Sequence, residues 1–240
     1  METAPGRPEI ARLVAPNPGP MTLRGTNTYV VGRDPAFVID PGPDDAGHVD
    51  AVAAEAARRG GLAGILLTHS HADHAAGAGR LAAPVTWGPG GGSDPGPFSV
   101  VPTPGHARDH VCFVLRGACF TGDLILGEGS SYVPPDGGSL AAYMDSLRAV
   151  QGLELELLCP GHGPFVTDPA AKIAEYVRHR LDREHKLVAA LEAGERSRAG
   201  LLDAAWDDVP SELRGAAAQV MQAHLEKLEA EGRLPADLGE

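Results

Sequence analysis

Thr68-His69-Ser70-His71-Ala72-Asp73-His74 follows directly on the apolar run Gly64-Ile65-Leu66-Leu67. A short apolar run opened by glycine reads as a buried strand, so these donors leave a strand end. In an extended stretch His69 and His71 fall on one side of the chain. A turn into the Ala/Gly-rich segment that follows brings Asp73 and His74 toward a second position nearby. Nitrogen and oxygen donors of this kind suit zinc, and equally iron or manganese. Three imidazoles and a carboxylate clustered after a buried strand have little structural purpose, which points to metal chemistry.

The same arrangement recurs further along. Val100-Val101-Pro102-Thr103-Pro104-Gly105-His106 delivers one histidine, Cys119-Phe120-Thr121-Gly122-Asp123 one aspartate, and Leu157-Leu158-Cys159-Pro160-Gly161-His162-Gly163 another histidine. Four donor-bearing loops at strand ends make a coherent set. Around them, strands are expected at 28–31, 37–40, 64–68, 99–101, 111–115, 118–121 and 156–159, with helices at 46–59 and 140–150. Strands interleaved with helices imply an α/β layered domain. Residues 88–97 have a pure loop composition.

From Asp168 onward the pattern turns helical. Asp168-Pro169 supplies an N-cap and a first-turn proline. Ile173, Val177, Leu181, Leu187, Val188 and Leu191 then recur at helical spacing, and Gly194 offers a stop. A short helix is expected over 199–205. Another is expected to be capped by Ser211, with Leu213, Ala217, Val220, Met221, Leu225 and Leu228 on one face. The division this implies is a catalytic domain over 1–168 and a helical, winged-helix-like domain over 169–240.

Composition narrows the classes. A chain of 240 residues with 43% hydrophobic content can bury a sizeable core, and no apolar run approaches the length of a membrane span. Cys112, Cys119 and Cys159 form no C-x-x-C pair and each lies in a strand-like run, so buried thiols are expected. The first residues lack a basic cluster followed by an apolar stretch, so a cytoplasmic address is the expectation. A net charge of −12 argues against strong duplex nucleic-acid binding.

Taken in order, Asp40, the H-x-H-x-D-H stretch 69–74, His106, Asp123 and His162 resemble the motifs of the metallo-β-lactamase superfamily. The resemblance covers about residues 15–165 and implies an αββα sandwich with metals at one edge between the sheets. It implies that His69, His71 and His106 hold one ion, that Asp73, His74 and His162 hold another, and that Asp123 bridges them. Asp40 would steady the ligand loops. Two divalent ions follow, zinc first, with manganese or iron compatible. Two cations about 3.5–4 Å apart can share a water and lower its pKa toward ~7. Asp73, completing the second site, is the residue expected to carry catalysis.

Three further stretches, 17–29, 140–147 and 223–233 together with His179-Arg180, resemble a branch with a C-terminal winged helix that includes single-strand endoribonucleases and many bacterial hydrolases. That branch implies a phosphodiester substrate of the single-stranded RNA type. Against it, residues 169–240 carry 10 Lys+Arg and 14 Asp+Glu, and helix 211–231 has only Arg214 and Lys227 as cations. The alternative is a thioesterase of the hydroxyacylglutathione hydrolase type acting on a small molecule, with Arg24 and Arg108 as candidate cationic contacts. A metal-bearing nucleic-acid-binding regulator is the reading from another class. It would need a basic face on the tail, which the sequence lacks, and a structural site would need only four ligands. His110, Ser131 and Tyr132 read as loop residues near the cleft, Trp87 and Trp206 as packing residues. His179 and His185 read as part of a solvated or domain-bridging helix face.

Overall fold

Burial alternates along the strands, and this sorts their side chains into layers. A computed structural model of the chain describes residues 1–88, 91–92, 94–236 and 238. One sheet runs in the order Glu2–Ala4 (β1), Arg7–Val14 (β2), Asn27–Gly32 (β3), Ala36–Ile39 (β4), Leu62–Leu66 (β5), Val85–Gly88 (β6) and Gly91–Gly92 (β7). The other pairs Ser99–Pro102 (β8), Val111–Leu115 (β9), Ala118–Gly122 (β10) and Leu157–Pro160 (β11) in sequence order.

The inner faces of the two sheets meet in one core. Ile10, Tyr29, Val31, Ile39 and Leu66 of the first sheet pack on Phe113, Phe120, Leu157 and Cys159 of the second. Tyr29 and Phe120 meet edge to face, with ring centroids 5.2 Å apart. Each such side chain contributes roughly 1.5–3 kcal/mol by leaving water. The alternate residues Val30, Val38 and Ile65 point outward and receive Val49, Val52 and Ala56 of helix Ala46–Arg58 (α1). On the far side, Cys112, Cys119 and Leu158 are covered by helices Leu140–Gln151 (α3) and Pro169–Glu192 (α4), after a single turn at Ala72–Ala75 (α2). The order of layers is therefore αββα. All three cysteines are buried free thiols.

Local capping starts the helices where the sequence indicates. The side chains of Asp45, Ser139 and Asp168 accept from the backbone N–H three residues on, at His48, Ala142 and Ala171. Ser197 does the same for Arg198–Ala205 (α5). Ser211 does not cap: it opens a 3-10 turn over Ser211–Leu213, and the helix proper is Arg214–Ala230 (α6). The Ser211 hydroxyl bonds Glu212 instead of the backbone.

α4 belongs to two cores. Its first half packs Ile173 and Tyr176 on the sandwich, and its second half packs Leu187 and Leu191 on Leu201, Trp206, Met221 and Leu228 of the C-terminal helices. Along this helix His185 is exposed and His179 half-buried, while the side that carries Arg180 and Arg183 bridges the two cores. Arg180 and Arg183 are buried and donate to the carbonyls of Ser131 and Ala205, Arg183 also to Asp208.

The hairpin at the start lies outside the strands read from sequence, and one expectation, the loop at 88–97, changes in part. The N-terminal residues form the hairpin β1–β2, although Arg7, Pro8, Glu9 and Arg12 give the segment a polar look. Within 88–97, β6 and β7 pair at Gly88 and Gly91, while residues 89, 90 and 93 of that stretch lie outside the described residues.

Gly105 places the fold against the site. Its φ is +142°, and a Cβ there would lie 2.4 Å from Cα of Tyr143 at the start of α3. Gly105→Ala is expected to destabilise the protein by more than about 1 kcal/mol, through backbone strain and overpacking. The measurement is the midpoint of urea unfolding, which should fall with an unchanged slope.

Candidate metal centre

Each donor loop leaves the carboxyl end of a strand. Asp40 follows β4, His69 follows β5, His106 follows β8, Asp123 follows β10 and His162 follows β11. Because β4 and β5 run parallel, as do β10 and β11, these ends gather at one edge of the sandwich. The two sheets are joined there directly. Asn27 N donates to Gly161 O, and Asn27 Nδ2 donates to the carbonyls of Pro160 and Gly163. Tyr29 Oη donates to Pro160 O, and Val111 N to Thr68 O.

The side chains fall into two groups. His69, His71, His106 and Asp123 form one, and Asp73, His74 and His162 the other, with the donor atoms of each group lying within 4.8 Å of one another. In the first, His71 Nδ1 lies 3.0 Å from both His69 Nε2 and His106 Nε2. In the second, Asp73 Oδ2 is 3.4 Å from both His74 Nε2 and His162 Nε2. Asp123 reaches both groups with different oxygens. Its Oδ1 is 3.4 Å from His74 Nε2 and 3.3 Å from His162 Nε2, and its Oδ2 is 3.6 Å from His106 Nε2.

Hydrogen bonds behind the rings decide which nitrogens face inward. His74 Nδ1–H donates to Asp40 Oδ2, His106 Nδ1–H to the Tyr132 carbonyl and His162 Nδ1–H to the Gly25 carbonyl. The Thr68 hydroxyl donates to Asp40 Oδ2 and so accepts from His69 Nδ1–H. His69 Nε2 and His106 Nε2 therefore turn lone pairs toward His71 Nδ1, an arrangement that a cation among the three rings would share. Asp123 Oδ1 is buried without a hydrogen-bond partner, as an oxygen reserved for a cation would be.

Electrostatics agree. Burial disfavours a charge on His74, yet the Asp123 and Asp40 carboxylates raise its pKa well above the ordinary imidazole value. Burial would raise Asp123, but His74 and His162 hold it well below the usual carboxylate range. The donor set therefore fits positive charge at this edge.

Two residues matter more than their sequence context suggests. Asp40 has φ +49° and is buried; it accepts Thr68 N at 2.8 Å, Thr68 Oγ1 at 2.7 Å and His74 Nδ1 at 2.9 Å. His110 is buried behind the donors and does not reach the cleft. Its Nε2 accepts Asp123 N, which leaves Nδ1–H to donate to Thr103 Oγ1. Burial and the neighbouring His106 push it down to about 3, so it stays a neutral acceptor. Gly122, at φ +44°, lets the chain pass: a Cβ would lie 2.5 Å from Thr68 Oγ1 and 2.8 Å from His110 Nε2.

In front of the donors lies a cleft of about 370 Å³, bordered by Met21, Leu23, Leu126, Ser131, Tyr132 and Leu213 among others. Among the described residues no lysine or arginine lines it. Arg24 sits instead in an adjoining recess with Arg12 and Glu128, and Arg108 is exposed away from the cleft.

The superfamily pattern of the metallo-beta-lactamases matches residues 21–90 and 84–162, which hold every one of these donors. The chain belongs to the metallo-beta-lactamase superfamily. The beta-lactamase associated winged helix domain matches residues 200–236. The chain is 37% identical over 216 residues to the lactamase-like protein adaB of Aspergillus niger, which takes in 79% of this chain but spans only 65% of that relative's length. It is 32% identical over 259 residues to the atrochrysone carboxyl ACP thioesterase of Aspergillus fumigatus, covering 97% and 76%. It is 30% identical over 266 residues to the beta-lactamase-like protein 2 homolog of Drosophila melanogaster, covering 94% and 89%. A metallo-beta-lactamase family protein from Thermus thermophilus shares the fold with a TM-score of 0.74 at 22% identity, covering 95% of each chain. Among the described residues no helix is long and apolar enough to cross a membrane.

If Asp40 steadies the centre, Asp40→Asn keeps the left-handed backbone, which asparagine tolerates, and removes the charge facing His74. Affinity for zinc, read by competition with a chromophoric chelator, is expected to fall about 10–100-fold with the melting temperature little changed.

Proposed function

We propose that this chain is a two-metal hydrolase of acyl thioesters, and the observation that carries this is the cleft itself. Its lining joins five of the seven donors, His71, Asp73, His106, Asp123 and His162, to apolar side chains and contains no lysine or arginine among the described residues. A phosphodiester of the single-stranded RNA type repeats its charge along the strand, and binding it draws on clustered cations. An acyl thioester is neutral at the reacting carbonyl. Two relatives named as atrochrysone carboxyl ACP thioesterases, at 32% and 36% identity, support the same reading.

The ligand assignment we infer is His69, His71 and His106 for one ion, and Asp73, His74 and His162 for the other, with Asp123 between them. Zinc suits these nitrogen and oxygen donors, and iron and manganese remain compatible chemistries. Divalent ions there would acidify a water and polarise a carbonyl oxygen. The division into a catalytic part, 1–168, and a helical part, 169–240, belongs to the same proposal.

The chain's own contribution begins at Asp73. Thr26 Oγ1 donates to Asp73 Oδ2 at 3.0 Å, and Thr26 is itself held by Asn17, which fixes the carboxylate at the mouth of the cleft. Asp73 Oδ1 is then the acceptor that orients water and takes its proton. The overall change adds water across the C–S bond, giving a carboxylic acid and a thiol. The leaving group also fits. A thiol with pKa ~8.5 departs readily as thiolate near neutral pH, whereas an alkoxide requires a proton. The cleft holds no ammonium group and no imidazole outside the donor set. Tyr132, raised by burial and by Asp136, keeps its hydroxyl proton.

Asp73→Ala is expected to reduce thioester hydrolysis at least ~10³-fold, in the range seen when a group acting in the transition state is removed. Circular dichroism should be unchanged; full activity in this variant would sink the two-metal mechanism. Prolonged dialysis against a chelator is expected to abolish turnover. Near two equivalents of zinc per chain, followed by elemental analysis, should restore it, and half-restoration at one equivalent would point to a single working site.

A further inference from the structure

The metal cleft does not end at the donors. It opens into a second cavity of about 250 Å³ between the catalytic layers and the C-terminal helices. The two share Pro20, Met21, Ser130, Ser131, Tyr132 and Leu213, so they form one continuous space. Beyond these, the tail supplies Trp206, Val209, Ala216, Ala217 and Val220, and α4 supplies His179, Arg180 and Arg183. On α6 and the turn before it, positions 213, 216, 217 and 220 follow helical spacing, so they line one side. Leu225 and Leu228 of the same helix fill the tail's own core.

The cations near this cavity are already committed. Arg183 pairs with Asp208 and stands 5.5 Å over the Trp206 ring, and Arg180 donates to Ser131 O and stands 5.2 Å over the Tyr143 ring. They present their flat, weakly hydrated faces to aromatic rings rather than a free charge to a ligand. Opposite, Met21 is 48% exposed, an apolar side chain left in water at the junction of the two cavities.

Resting on the thioesterase reading, we propose that this cavity is the subsite for the apolar acyl group of the substrate, and that the winged-helix domain thereby sets acyl-chain specificity. The acyl half is the occupant because the thiol arms of biological thioesters are amide-rich and polar and gain nothing from an apolar wall. The volume matches about eight non-hydrogen atoms at the roughly 30 Å³ that a water occupies. A medium-length aliphatic or single-ring aromatic acyl group fits.

The test is a series of N-acetylcysteamine thioesters from acetyl to decanoyl. In the metal-loaded protein kcat/KM should rise about fourfold per methylene, the transfer value for a buried CH₂, and level off near eight carbons. Ala216→Leu puts a strong helix former into the cavity and should lower the octanoyl-to-butyryl ratio of kcat/KM at least tenfold. Val209→Ala, which sits outside the helices, enlarges the space and should move the optimum to longer chains. Binding gives a readout independent of turnover. Octanoyl-N-acetylcysteamine added to chelator-treated protein should quench indole fluorescence, with the quench lost in Ala216→Leu. Thioester turnover with a flat chain-length profile, or an unchanged ratio in both variants, overturns the subsite while the thioesterase reading stands. Turnover of single-stranded RNA or bis(p-nitrophenyl) phosphate with none of any thioester overturns that reading and the subsite with it.

Discussion

The buried carboxylate of Asp40 joins three pieces of chain that would otherwise end independently. It accepts the backbone N–H and the hydroxyl of Thr68 at the end of β5 and the ring N–H of His74 in α2, from a left-handed residue at the end of β4. A buried charge with three donors is satisfied; with one donor fewer it would cost several kcal/mol. This requirement fixes the spacing between two strand ends. It also fixes the tautomer of His74, and through Thr68 that of His69. The inward direction of two imidazole lone pairs thus follows from one carboxylate that does not itself belong to either donor group.

A parallel device holds the second sheet. Asn27 and Tyr29 on β3 satisfy the carbonyls of Pro160 and Gly163 around His162, and the His110 ring accepts the N–H of Asp123. Backbone groups of the donor-bearing loops are thus bonded by side chains from distant strands. They can be buried without helix or strand pairing because side chains from distant strands complete their hydrogen bonds. The like-charged tendency of the donors is thereby opposed by rigid, hydrogen-bonded surroundings, a preorganised pocket for positive charge.

What could be read in the chain was local. The strand at 64–67, the donor run 69–74 and the capped start at Asp168 are each signals confined to a few neighbouring residues, and the layered fold followed from the alternation of strands with helices. The strand β2 was hidden because Arg7, Glu9 and Arg12 put charge on both faces of the pleat, and Pro8 interrupts the pattern. Asn27, Thr26 and His110 were illegible as supports, since their partners lie 7 to 136 residues away and hydrogen-bond roles leave no periodic trace. Arg180 and Arg183 read as part of a solvated or domain-bridging face, and which of the two held was not legible for the same reason. The carbonyls and carboxylate that bury them come from the entry of the cleft and from the residues after α5.

These buried arginines explain how the tail can serve the cleft without being basic. A winged helix that docks on nucleic acid presents its cations outward. Here Arg180 and Arg183 of the long helix point into the molecule, tie Ser131 of the cleft wall to α4 and tie α4 to Asp208 of the tail. Each bond couples the position of the C-terminal helices to a residue bordering the metal edge. Because α4 packs on the sandwich with its first half and on the tail with its second, the two cores cannot rotate without breaking that chain of contacts. The apolar side of α6 is consequently held at a set distance from Asp73 and Asp123. A wall at a fixed distance from reacting groups is what discrimination by substrate length requires.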